Sequence, residues 1–246
     1  MLKKGFALMQ KMIFCLFCIL FGAGTLLAVE VCGEPKHIAA IRKKAEAGDV
    51  ESQSLLGSHF YLDLADGRET QEKAVKWLRA AATQGHVQSQ YFLGRIFATS
   101  CPEKYFRKDD EVALKWWRMA AETGYADACK SLGNVFFEGH GVRRDRKESF
   151  KWYRKAAEQG DHRAQRRLGE HYRFGHGVSK DLVKAYAWYE LALHCMPEWQ
   201  RPRLGDRASL EVDRETLAQK MSLEQSGKAQ KLAKELLKEI EVNKKK

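Results

Sequence analysis

Residues 132–161, LGNVFFEGHGVRRDRKESFKWYRKAAEQGD, and residues 168–192, LGEHYRFGHGVSKDLVKAYAWYELA, are two versions of one pattern, and their self-similarity decides the fold. The tryptophans Trp77, Trp116, Trp152 and Trp188 fall at spacings of 39, 36 and 36 residues. The glycines Gly57, Gly94, Gly133 and Gly169 keep spacings of 37, 39 and 36. Each follows a leucine (Leu56, Leu93, Leu132, Leu168) and precedes an aromatic by three residues (Phe60, Phe97, Phe136, Tyr172). A third column, Gly48, Gly85, Gly124 and Gly160, lies eight residues after successive tryptophan positions, the slot after Trp188 being Met196.

Each column has a physical job. A glycine closing an apolar-periodic run is the left-handed cap that ends a helix without a Cβ penalty. Seven residues before the tryptophans stand Thr70, Asp109, Asp145 and Asp181, side chains that accept hydrogen bonds from the open amides of a first turn, which predicts four helix starts. Glycine costs helix propensity, so its recurrence after leucine marks a place where two helices approach too closely for a side chain. Tryptophan with Ala81, Ala120, Ala156 and Ala192 four residues on makes the apolar face of the second helix. Every unit reads helix, turn, helix, and no proline between 103 and 196 contradicts it. One helix pair cannot cover its own apolar face, so the units must stack into a solenoid.

Between the helices, repeats three and four read GHGVRRD (139–145) and GHGVSKD (175–181). Repeat one has LADGRET, one residue longer between the glycine and tryptophan columns, and repeat two SCPEKYFRKD, three longer. The chain over about 49–196 resembles the Sel-one-like repeat family, tetratricopeptide-like helical repeat proteins, most closely in repeats three and four. The resemblance implies an all-α fold, an α/α right-handed superhelix of four helix-turn-helix repeats with helical caps. The expected divisions are a leader at 1–28, an N-terminal capping helix or half repeat at 29–48, and repeats at 49–86, 87–125, 126–161 and 162–197. Capping helices and a basic tail follow at 198–246. In that tail, Ser222 and Gln225 are spaced as a capping box.

The chain has 246 residues, 44% hydrophobic and 30% charged, a composition that folds, which excludes wholesale disorder. Lys3, Lys4 and Lys11 precede an uncharged stretch, MIFCLFCILFGAGTLL (12–27), giving the n-region and h-region of a secretory signal. Gly22 and Gly24 supply small residues for cleavage. Cleavage predicts a secreted or periplasmic chain; the alternative is a membrane anchor over 12–29, at the lower edge of a spanning length. Without residues 1–28 the net charge falls from +11 to +8.

The chemistry-bearing residues read as structural. His140 and His176 share one turn slot, as a repeated motif requires, and His59 and His171 share a first-helix slot filled elsewhere by Ile96 and Val135, which predicts packing. No HExxH spacing, G-x-S-x-G elbow, S-x-x-K or P-loop occurs, so no metal, cofactor or catalytic residue is expected and the chain is read as not an enzyme. Cys32, Cys101, Cys129 and Cys195 permit three disulfide pairings. Cys101 follows one first helix and Cys129 begins the next, so with neighbouring first helices parallel they stand about 16 Å apart, the length of an eleven-residue helix, beyond the roughly 7 Å bridging limit unless the long loop of repeat two folds back. The basic residues are interleaved with acids, which argues against nucleic acid as partner.

In relatives the first helices line a concave groove, and the slots free of the packing columns face it. The candidate partner-binding residues are Tyr91, Phe92 and Arg95 in repeat two, Lys130, Asn134 and Phe137 in repeat three, and Arg166, Arg167, Glu170 and Arg173 in repeat four. Aromatics and arginines anchor protein interfaces. The expected function is an exported adaptor or scaffold that binds a protein or peptide, acidic in character, with membrane or cell-envelope association through the N-terminus. Two alternatives stand: a cell-wall or β-lactam-binding envelope hydrolase, and a membrane-anchored adaptor in protein quality control.

Overall fold

The computed structural model describes residues 36–62, 68–99, 109–197 and 204–244. The leader at 1–28, the anchor segment, Cys32, Cys101 and the loop of repeat two lie outside them. All elements among the described residues are helices. The chain divides into two compact units, Met1–Lys108 and Asp109–Lys246, and the division falls in the long loop of repeat two.

The first unit holds α1 (Lys36–Glu46), α2 (Val50–Leu62), α3 (Arg68–Thr83) and α4 (Val87–Ala98). Helix α1 packs on α2, α2 on α3, and α4 on both α2 and α3. The second unit holds α5 (Asp110–Glu122), α6 (Ala126–Glu138), α7 (Arg146–Ala157), α8 (His162–Phe174), α9 (Leu182–Cys195), α10 (Leu204–Ala218) and α11 (Leu223–Lys244). From α5 to α9 each packs on the next, and α9 receives both α10 and α11.

The glycine column after the second helices has φ of 88° to 95°. The residue after the glycine donates back to the column alanine five residues earlier: His86 to Ala81, Tyr125 to Ala120 and Asp161 to Ala156. These are Schellman closures. Asp109, Asp145 and Asp181 cap α5, α7 and α9, accepting from the amides of Val112, of Lys147 and Glu148, and of Lys184. Thr70 departs from this scheme. Helix α3, 16 residues long, is under way by Arg68, so Thr70 lies inside it and is buried rather than capping.

The close-approach glycines behave as expected. A Cβ on Gly169 would stand 2.3 Å from the ring of Tyr189, and one on Gly57 would stand 2.7 Å from Leu78 Cγ. The residue driven into that contact is one beyond the tryptophan. Leu78, Tyr153 and Tyr189 are fully buried, whereas Trp77, Trp116 and Trp152 are half-buried. The apolar face thus centres 100° from the tryptophan column. The lysines Lys76 and Lys155 lie over the rings of Trp77 and Trp152, at 5.0 and 4.3 Å. Trp188 alone among the four is buried, on the helix against which α11 packs.

A further buried column lies four residues before the packing glycine. The carboxamides of Gln53, Gln90 and Gln165 donate to the carbonyls of Ala45, Ala82 and Ala157, at 3.0, 3.1 and 3.2 Å, at the end of the preceding helix. Cys129 occupies the slot in repeat three, its thiol 3.7 Å from the Ala121 carbonyl. This column satisfies carbonyls that a helix end leaves open. Cys129 and Cys195 are free thiols. Burial pushes the Cys129 thiol up.

His171 is fully buried and packs as expected, but His59, in the same slot, is exposed. Phe150 and Tyr153 flank His171, with ring centroids at 5.8 and 5.6 Å. The residues aligned with them in α1 are Ile38 and Ile41, too small to enclose a ring. At the C-terminal end, Leu210, Leu217 and Ala229 join Tyr186, Tyr189, Leu193 and Met196 in one cluster. The Ser222–Gln225 capping box forms reciprocally, at 3.0 and 3.2 Å. No described helix is long and apolar enough to cross a membrane.

Candidate functional site

The free slots of the first helices assemble differently in the two units. In the first unit, Tyr61 of α2 meets Phe92 of α4 at 5.1 Å between centroids, and Tyr91 lies 5.7 Å from Phe92. The exposed guanidinium of Arg95 covers Tyr61 at 5.6 Å and Tyr91 at 6.0 Å. These cation–π contacts make an aromatic patch with a positive rim. Ser54 of α2 is buried, accepting from the hydroxyl of Ser89 at 3.0 Å, because helices this close need small residues between them.

In the second unit, Lys130, Asn134, Arg166, Arg167 and Glu170 line one cleft of about 390 Å³, together with His162, Arg163, Met196 and Leu210. Its size falls within the roughly 300–1,000 Å³ of ordinary ligand sites. Helices α6 and α8 supply the polar wall. Lys130 Nζ lies 2.6 Å from Asp127 Oδ1 and 2.7 Å from Asp161 Oδ2. Burial alone would depress the Lys130 ammonium, but Asp161 and Asp127 together hold it above the usual lysine range. Asn134 Oδ1 accepts from the hydroxyl of Tyr153. Phe137 lies outside the cleft, under Arg146 at 5.5 Å and Arg167 at 5.9 Å.

The arginines of repeat four are largely engaged by the chain itself. Arg167 Nη1 donates to Glu170 Oε2 at 2.8 Å. Arg166 Nη2 donates to Ser209 Oγ at 3.0 Å and lies 3.6 Å from Asp213 Oδ2. Arg173 pairs with Asp213. Helix α10 therefore lies along α8 and holds two of the three arginines that slot arithmetic leaves open. Arg163, three residues before Arg166 and on the same face, lines the cleft and forms no ion pair among the described residues. It stands six residues before the packing glycine, and its i−3 spacing from Arg166 is the sequence signal that places it on this face.

Elsewhere in the second unit a serine and a histidine meet. His171 Nε2 lies 3.4 Å from Ser149 Oγ, and its Nδ1 faces the His176 carbonyl. Both side chains are fully buried, and the Ser149 hydroxyl is given to the Gly133 carbonyl at 2.8 Å. This serine–histidine pair is a packing contact with no access for substrate. Among the described residues, no group of three or more His, Cys, Asp and Glu is placed to hold a metal ion.

A family model for the Sel1 repeat matches residues 50–86, 87–125, 126–161 and 162–194. Among solved structures, a protective antigen present in uropathogenic Escherichia coli strains, displaying an SLR fold, aligns with a TM-score of 0.67 and 27% identity. The match covers 94% of this chain and 45% of that one. A Sel1 repeat protein from Oxalobacter formigenes aligns with a TM-score of 0.54 and 33% identity, covering 60% of this chain and 59% of that one. The chain thus spans about half the length of these relatives. No curated protein sequence matches.

Proposed function

The chain belongs to the Sel1 repeat family, whose members typically serve as protein-interaction scaffolds, and on that premise we propose that it is an exported, non-catalytic adaptor. Its partner is a protein or peptide held on the exposed faces of the first helices, and the partner brings an anionic group. The observation that carries this reading is the convergence of free slots from two successive first helices, α6 and α8, on one cleft lined by four cations and a single carboxylate. Such a surface recognises a carboxylate through charge-assisted hydrogen bonds. The aromatic patch of the first unit supplies the anchor type common at interfaces. Export rests on the lysine-led apolar segment at 1–28, and it accords with a structural relative that is a protective antigen.

The test is capture of the tagged full-length chain from its native envelope after cross-linking. A discrete partner should be recovered in stoichiometric amount, and mass spectrometry of the bait should find an N-terminus between residues 22 and 30. Charge reversal of Arg163 and Arg167 together should abolish capture with helicity unchanged. Undiminished capture by that double variant would sink the reading.

A further inference from the structure

We infer that the cleft of the second unit takes the free carboxyl terminus of its partner, with an apolar last residue, in preference to an internal acidic segment; this rests on the partner-binding reading above.

Charge balance comes first. Around the cleft stand five cations, Lys130, Arg163, Arg166, Arg167 and Arg173, and four carboxylates, Asp127, Asp161, Glu170 and Asp213. One positive charge is left over, and it belongs to Arg163. A run of acidic residues would have to displace the chain's own carboxylates, whereas a single carboxylate completes the set. Donors are also waiting. The Nε of Arg166, buried at the cleft, makes no hydrogen bond and has only the longer 3.5 Å ion pair to Glu170 Oε1. Asn134 spends its carboxamide oxygen on Tyr153, which leaves its NH₂ to donate. Guanidinium and carboxamide donors on one carboxylate are the charge-assisted set that holds such groups most strongly.

Shape then separates a terminus from an internal residue. A segment lying along α6 and α8 meets α10, where Leu210 forms a cleft wall, Ser209 seals Arg166 and Asp213 seals Arg173. That helix is fixed by the burial of Leu210 and Leu217 in the core, so it does not make way. A chain entering from α6 must end there. Met196 and Leu210 are the apolar side chains of the cleft, and they favour an apolar final residue.

The experiment uses the immobilised full-length chain and two pools of N-acetyl hexapeptides of random sequence, one of free acids and one of C-terminal amides. The acid pool should be retained at least about tenfold better, with leucine, isoleucine, valine or methionine enriched at the last position. The variant R163Q, which removes no contact that holds the fold, should lower that retention about tenfold, as expected for one charge-assisted interaction, with an unchanged circular dichroism spectrum. Equal retention of the two pools overturns the terminus inference and leaves the partner-binding reading standing. Retention of neither pool also overturns it, and the partner-binding reading is then judged separately by the envelope capture.

Discussion

Repeat one, built from α2 and α3, and repeat four, built from α8 and α9, share the leucine, packing-glycine, aromatic, tryptophan and alanine columns yet differ in what surrounds them. In repeat four the close-approach glycine faces the ring of Tyr189, in repeat one the aliphatic Leu78. The histidine slot is sealed at His171 and open at His59. Two arginines on the first helix of repeat four are tied to α10, whereas the first helix of repeat one leaves Leu55 58% exposed. The lesson is that a column specifies where a side chain goes, and its neighbours on other helices decide what it can do there.

Substituting the glycines has the largest effect. G169A should destabilise by about 3 kcal/mol or more, because the new methyl meets a rigid ring in a packed core with nowhere to move. G57A should cost a similar amount by a different route, since its Cβ would stand 2.8 Å from the backbone nitrogen of Leu78, a contact that no rotamer change of the buried leucine relieves. Thermal or urea unfolding of the two variants measures both losses, and a near-neutral G57A would show that α2 and α3 can move apart where α8 and α9 cannot.

The histidines separate by pH. Burial pulls the His171 imidazole down to about 4, against 6.5 in the unfolded chain. Between those values the unfolded chain binds more protons than the native one, so stability falls as the pH drops from 6.5 towards 4. The loss reaches about 3 kcal/mol. Urea titrations at a series of pH values should show this slope in the native protein and its removal in H171L, whatever that variant loses at neutral pH. H59L, at the open slot, should stay within about 0.5 kcal/mol of the native protein at neutral pH.

Smaller effects sharpen the rest. D213N should cost about 1–2 kcal/mol, because it leaves the half-buried guanidinium of Arg173 without its acid. D181A should lose about 1 kcal/mol with the cap of α9. E69Q, which removes the exposed Glu69–Lys73 pair of α3, should cost less than about 0.5 kcal/mol. T70V should be near neutral, since Thr70 caps nothing. Denaturant midpoints resolve all four, and a capping loss at Thr70 would restore the uniform helix starts that the spacing suggests.

How far the site was legible varies residue by residue. Lys130, Asn134, Arg166, Arg167 and Glu170 were reachable by subtracting packing columns from a helix face, and they do share a cleft. Arg163 obeyed the same periodicity but fell outside the slots counted. The glutamine column at Gln53, Gln90 and Gln165 was present in the spacing too, interrupted at Cys129, and its purpose is visible only once the facing carbonyls are known. Met196 and Leu210 could not be found this way, because they reach the cleft from other elements.

By itself the sequence determined the helix pairs, their caps and the glycines at which helices touch, because each is a local relation repeated at nearly constant spacing. Tertiary structure alone decided which tryptophan is buried, which histidine is sealed and which arginines stay available. Those outcomes depend on which side chains α1 and α7 present to the histidine slot, and on α10 and α11, elements outside the repeating pattern whose contacts occur once and leave no period in the sequence to read.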